Sequence, residues 1–288
     1  MIAYQSLLEA HPGLRQKMHA LEHATEQKMM FALEAAPKLV TIPVVVHVVY
    51  KQAAENISAT QIKSQLAVLN RDFRATNPDK SKVPAAWKGL VTDAKVLFKL
   101  ATRDPKGKVT TGITRTATKK ASFGFDDSVK AVGSGGVAAW NTKEYLNIWV
   151  CKLSGGLLGY AQFPGGPAKT DGVVITHTAF GTNGTAKAPF NLGRTATHEI
   201  GHWLNLRHIW GDTEDCSGSD LAGDTPNCAG PNYGKPSFPQ VSCGNAPNGD
   251  MFMNYMDYVD DAAMFMFTAR QVARMRATLS GPRKTIVT

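Results

Sequence analysis

Apolar positions in the first half of the chain switch between two periods. VTIPVVVHVVY (40–50) is nearly continuous and β-branched, which predicts a buried strand. From 58 to 74 the apolar residues Ile62, Leu66, Leu69 and Phe73 recur at helical spacing, and Ser58 with Gln61 reads as a capping box. KVLFKLATR (95–103), LNIWVCKL (146–153) and DGVVITHTAF (171–180) read as further strands. SGGLLGYAQFPGG (154–166) reads as an edge segment and turn; it lacks the G-x-x-x-x-G-K-[ST] phosphate loop.

Residues 12–36 carry Leu14, Met18 and Leu21 on one helical face and stop at Pro37; their many charges suggest a peripheral arm or pro-segment. A second helix is expected from Asn191 to Asn205. Little regular structure follows from 211 to 253, and FTARQVARMRATL (267–279) closes the chain as a helix with Thr268 as its cap. Strands and a helix first, then irregular chain and a last helix, predict an α+β fold. A sheet-bearing first half and a loop-rich second half would leave a cleft between them.

A chain of 288 residues, 43% hydrophobic, suffices for one large domain or two packed halves. No apolar run reaches the ~18 residues a spanning helix needs. The start, MIAYQSLLEAHPGL, has no basic region followed by an apolar one. The expectation is therefore a cytosolic protein or a chain that begins after a removed segment. The net charge of +9 raises nucleic acid as a partner, but there is no basic cluster denser than Lys119-Lys120. Charge is unevenly spread: 211–261 holds nine acids against Lys235 alone. Such a stretch suits a bound cation, a basic substrate or simply a solvated acidic loop. The four cysteines show no C-x-x-C, which speaks against a zinc ribbon. Cys151 reads as a buried strand thiol, and His47 and His177 as structural strand histidines.

The chemistry concentrates in TATHEIGHWLNLRHIWGD (195–212). His198 and His202 are one helical turn apart and share a face, so both imidazoles can reach one ion at about 2.0–2.1 Å. Glu199 points to a neighbouring face, where it can take a proton from water bound by that ion. His208 would lie roughly 9 Å further along if the helix continued. The chain must turn back, and Asn205 is a residue that tolerates the left-handed conformation a helix end requires. The spacing thus reads as helix, break, third ligand.

HEIGHWLNLRH resembles the extended zinc motif of the metzincin metallopeptidases, and NYMDY (254–258) fits their Met-turn. HEIGHWLNLRHIWGD, GDTPN, GDMFMNYMDYVDD and MFTARQVARM are similar to the pappalysin family, especially its ulilysin-like bacterial members, over roughly 40–280. The resemblance implies a metzincin-like α+β fold. Its upper part (37–205) would carry a twisted mixed sheet, a backing helix and the active-site helix. Its lower part (206–288) would be loop-rich, with the Met-turn and final helix, and 1–36 an arm or pro-segment remnant.

The resemblance also implies roles. His198, His202 and His208 would bind zinc, Glu199 would be general base and proton shuttle, and Met256 the apolar floor. Tyr258 would stabilise the tetrahedral intermediate. Asp212, Asp220, Asp224 and the Thr225 carbonyl are candidates for calcium, and GLLGYAQF would pair with an extended substrate. Cys216 and Cys243 match one family disulfide. The positions of a second are Ala263 and Lys235, which leaves Cys228 over. Asn205 stands where the family usually has Gly, and no cysteine precedes Cys151 to cap the zinc of a zymogen. The implied protein is a secreted zinc endopeptidase acting on proteins or peptides, with a basic residue preferred after the scissile bond. It is expected to be a monomer without nucleic-acid or membrane partners. The alternative is a zinc- or calcium-stabilised binding module without turnover. Glu199 argues against it, because a structural site needs no base.

Overall fold

The computed structural model describes residues 12–34 and 38–287. The predicted stop at Pro37 and the first eleven residues of the arm lie outside them. The first helix, α1, is Pro12–Glu34. β1 (Val40–Tyr50) is the spine of a six-stranded sheet ordered β2-β1-β4-β6-β5, with β3 also paired to β1. Here β2 is Val96–Leu100, β3 Ile113–Ala117, β4 Leu146–Cys151, β5 Gly159–Ala161 and β6 Val173–Thr176. The first half of β1 pairs with β2 and the second half with β3, both parallel, while β4 runs parallel on its other side. β6 is parallel to β4, and the short edge strand β5 is antiparallel to β6.

Both sheet faces are covered, which is why the strands read as continuous apolar runs. Along β4, Ile148 and Val150 join the main core, while Trp149 and Cys151 join a second cluster with Val49, Tyr160 and Val174. The main core also takes in Leu66 and Leu69 of α2 (Ala59–Asp72), Phe73 at its C-cap, and Ile200 and Trp203 of α3 (Arg194–Trp203). Met256, Phe267, Met275 and Leu279 from the last third belong to it too, so both halves share one core. α3 packs on β5 and β6, and α2 backs α3. The last helix, α4 (Ala269–Ser280), has Thr268 as cap in a capping box with Gln271, and α1 lies along it.

Two expectations are corrected and one strand is added. Ser58 caps α2 by accepting from the Gln61 amide, but the Gln61 side chain does not reach back to close a box. It is buried instead in the 177–185 loop, donating to the carbonyls of Phe180 (2.8 Å) and His177 (3.1 Å). β3 was not foreseen: ITRTA is short, with three consecutive polar residues and no alternation, and only its parallel partner defines it. The strand expected over 171–180 ends at Thr176, where a 3-10 turn, His177–Ala179, replaces it.

Candidate metal centre

α3 ends after Trp203, and Asn205 follows at φ 72. The Asn205 amide donates to the His202 carbonyl and the Leu206 amide to Gly201, 2.9 Å each. These two bonds make a Schellman cap, so the turn satisfies the last carbonyls of the helix while reversing the chain. An alanine at 205 would face the left-handed penalty of about 1–2 kcal/mol, whereas glycine would not. Asn205→Ala is therefore expected to lower the melting temperature and Asn205→Gly to leave it nearly unchanged, as measured by thermal unfolding. Equal melting of the two variants would contradict this account.

The reversal brings His208 back to the face of His198 and His202. The three Nε2 atoms lie 3.0, 3.0 and 3.3 Å apart. Each Nδ1 has an acceptor: the Tyr255 carbonyl for His198 and the Leu206 carbonyl for His202, at 2.8 Å, and Asp212 Oδ1 for His208, at 2.5 Å. With Nδ1 protonated, all three Nε2 atoms are acceptors and none can bond another. Burial holds all three imidazoles well below the usual histidine range, hence neutral; for His198 the value is about 4. Three convergent lone pairs without a donor suit one cation. Bonds of about 2.0–2.1 Å in tetrahedral geometry place ligand nitrogens about 3.3–3.4 Å apart. The residues present therefore fit zinc. Among the described residues, this is the one group of three or more His, Cys, Asp or Glu that could hold a metal.

Glu199 is buried beside this group. Burial pushes its carboxyl up to about 8. β5 closes over it: a Cβ on Gly159 would stand 2.9 Å from Glu199 Cγ and 2.9 Å from the Val174 carbonyl, so that position excludes other residues. Below the helix, a Cβ on Gly201 would fall on the Met256 sulfur. Met256 is fully buried, and its amide donates to Asn254 Oδ1 at 3.0 Å. Asn254 is tied in turn to Gln271 of the α4 cap, so the Met-turn and the last helix are fixed together. Tyr258 is 37% exposed, with its ring 4.8 Å from that of His208. Burial, followed by the Glu199 charge, raises its hydroxyl above the ordinary range.

His198, Glu199 and Tyr258 face a cleft of about 310 Å³. One wall is Gly156–Gly159, and the other includes Tyr233, Tyr258 and Val259. Asp261 also lines it, a residue that sequence reading had counted only among the acids. Its Oδ2 accepts from the amides of Leu192 (2.7 Å) and Arg194 (3.2 Å), and burial raises it to about 6. Arg194 also carries a contact the sequence did not show: its guanidinium binds Asp72 and Asp79 at 3.1 Å each, joining α3 to the backing helix.

The calcium candidates are engaged as follows. Asp212 is engaged by His208, and both oxygens of Asp224 cap α4 through Thr268 Oγ1 (2.7 Å) and the Arg270 amide (2.9 Å). Asp220 Oδ1 accepts from the Thr225 hydroxyl, not from its candidate carbonyl, at 2.8 Å, and the buried Asp220 Oδ2 has no hydrogen-bond partner. Cys216 and Cys243 are bonded, while Cys151 and Cys228 are free and buried. His47 is enclosed between Thr114 Oγ1 (2.8 Å) and Asn147 Oδ1 (2.9 Å), far from any ligand role.

Residues 134–280 match the family model described as peptidase M43, pregnancy-associated plasma protein-A. The chain belongs to the M43, or pappalysin, family of metallopeptidases. This M43 chain is 32% identical over 247 residues to an extracellular metalloprotease of Verticillium alfalfae, covering 83% of the chain and 76% of the relative. It is 33% identical over 252 residues to an extracellular metalloprotease of Pyricularia oryzae, covering 84% and 76%. Among solved structures it resembles mature mirolysin of Tannerella forsythia in complex with a cleaved peptide (TM-score 0.85, 53% identity, 88% of this chain and 96% of that one). A promirolysin variant from the same organism gives a TM-score of 0.92 at 47% identity, over 99% and 95%. The M43 chain is thus a metalloendopeptidase with the metzincin fold, and a relative with a proform supports its reading as a zymogen. Among the described residues no helix is long and apolar enough to cross a membrane.

Proposed function

We propose that the chain is a secreted zinc endopeptidase that cleaves peptide bonds before a basic residue. The observation that carries the metal is the cage of three acceptor nitrogens. His198, His202 and His208 would hold the ion and leave one side open to the cleft. Bound there, zinc supplies a Lewis acid for the scissile carbonyl and lowers the pKa of water toward ~7. Glu199 accepts the proton of the attacking water at its carboxylate and passes it to the leaving amine. The Tyr258 hydroxyl donates to the oxygen that gains charge. β5 is an antiparallel edge with a free side, on which an extended peptide can lie as one more strand. Asp261, backed by the acidic 211–261 segment, favours a cationic side chain beyond the scissile bond.

Asp220, with its unpartnered Oδ2 and Thr225 beside it, supports calcium as an additional ion; Asp224 would have to leave the α4 cap to join. We read α1 as part of a pro-segment. It is docked by Glu22 on Arg274 (2.6 and 2.9 Å) and by Lys28 on the Ser280 carbonyl (2.9 Å). Secretion is supported by the extracellular relatives and by the Cys216–Cys243 bond.

Incubating the purified chain with a denatured protein, with and without a chelator, tests the reading. Mass spectrometry is expected to find cuts before Arg and Lys, abolished by chelation, and metal analysis one zinc per chain. Bound zinc with no cleavage under any condition would favour the silent binding module instead.

A further inference from the structure

The three imidazoles of the cage are not held alike. His198 and His202 ride on a helix and donate Nδ1–H to neutral backbone carbonyls. His208 has no regular element beneath it, and side chains hold it instead. Trp210 stacks on its face, with centroids 4.3 Å apart and planes 6° from parallel, and Tyr258 meets it near 72°. The chain then makes two left-handed steps, Gly211 at φ 65 and Asp212 at φ 63. The first is closed by the Gly211 amide on the His208 carbonyl, 2.9 Å. A Cβ on Gly211 would fall on the Ser219 amide, so only glycine fits. This turn swings Asp212 back over His208, where Oδ1 accepts from Nδ1.

The geometry points to Asp212 as the positioning residue of the third metal ligand. Its carboxylate fixes the His208 tautomer with Nε2 toward the other two nitrogens, and its charge makes this imidazole the stronger donor to a divalent cation. A carboxylate behind a ligating histidine both orients the ring and raises its basicity. Such a partner matters most for the ligand that the helix does not orient. The inference rests on the zinc reading of the cage, and it gives Asp212 a role other than calcium binding.

The test uses the full chain with Asp212→Gly and Asp212→Asn, both of which tolerate a positive φ. Zinc affinity is read by competition with a chromophoric chelator, and folding by the melting temperature of the metal-free proteins. The glycine variant is expected to bind zinc about 10–100-fold more weakly, with metal-free melting close to wild type. Asparagine keeps an acceptor oxygen for Nδ1 but not the charge, and is expected to restore the orientation of the ring and only part of the affinity. Glycine-variant affinity within about twofold of wild type would overturn the proposal. So would a loss of affinity matched by a fall in metal-free melting, since the residue would then be merely structural. If the wild-type chain takes up no zinc at all, the zinc reading fails first, and this proposal falls with it.

Discussion

Replacing Glu199 by alanine is expected to abolish measurable peptide cleavage while leaving zinc content unchanged. The carboxylate is not one of the convergent ligands. It is buried beside them on α3 and lines the cleft under β5. Removing it takes away the group that moves protons but none that holds metal. A positioned base or acid contributes about 10²–10⁴-fold, and here one group serves both steps. Turnover is therefore expected to drop by at least about 10³-fold. Burial raises Glu199 to about 8, and a dication in the adjacent cage would favour its charged form. Activity should then fall on the acid side as the base protonates. Parallel measurement of cleavage rate and bound zinc separates the outcomes. Near-normal turnover in the alanine variant would show that another group is the base, and lost zinc would make Glu199 a ligand.

How much of this site could be read in advance depended on how local its determinants are. His198, Glu199 and His202 follow from helical spacing alone. The need for a turn at Asn205 follows from the offset of His208, and the structure places that residue at φ 72. The Met-turn was legible only as a resemblance. Nothing in its local pattern says that Gly201 leaves room for the Met256 sulfur.

Residues whose role depends on how the chain folds back on itself were misread or missed. Gln61 looked like half of a local capping box, yet its amide serves a loop more than a hundred residues away. Asp212 reads in the sequence as a calcium candidate within an acidic run. Two successive left-handed residues, one of them Asp212 itself, turn it onto His208. The fold class was read from the apolar runs of β1, β4 and β6, whose two buried faces leave a strong signal. β3 was missed because ITRTA is partly exposed and owes its pairing to β1.

Asp261 gives the second large effect. Asp261→Asn is expected to cost substrates with Arg or Lys after the scissile bond far more than substrates with an apolar residue there. The asparagine oxygen can still accept from the Leu192 and Arg194 amides, so the turn entering α3 should survive. The charge is what is lost. Removing one partner of a desolvated ion pair costs about 2–5 kcal/mol, which is roughly 30-fold to several thousand-fold in kcat/KM. Asp257 lines the same cleft but is committed at both oxygens, to Asn232 and the Tyr258 amide. Asp257→Asn is the control, expected to affect folding and not preference.

The same carboxyl predicts a pH dependence. Burial raises Asp261 to about 6 in the free enzyme, so it is charged above that value and neutral below it. The ratio of kcat/KM for basic over apolar substrates should be high at pH 7 and decline as the pH is lowered through about 6. In the asparagine variant that ratio should be low and flat. A wild-type preference that stays constant from pH 7 to 5, or that survives in the variant, would remove Asp261 from the recognition of the basic side chain. The acidic 211–261 segment would then have to provide the selectivity through its summed field.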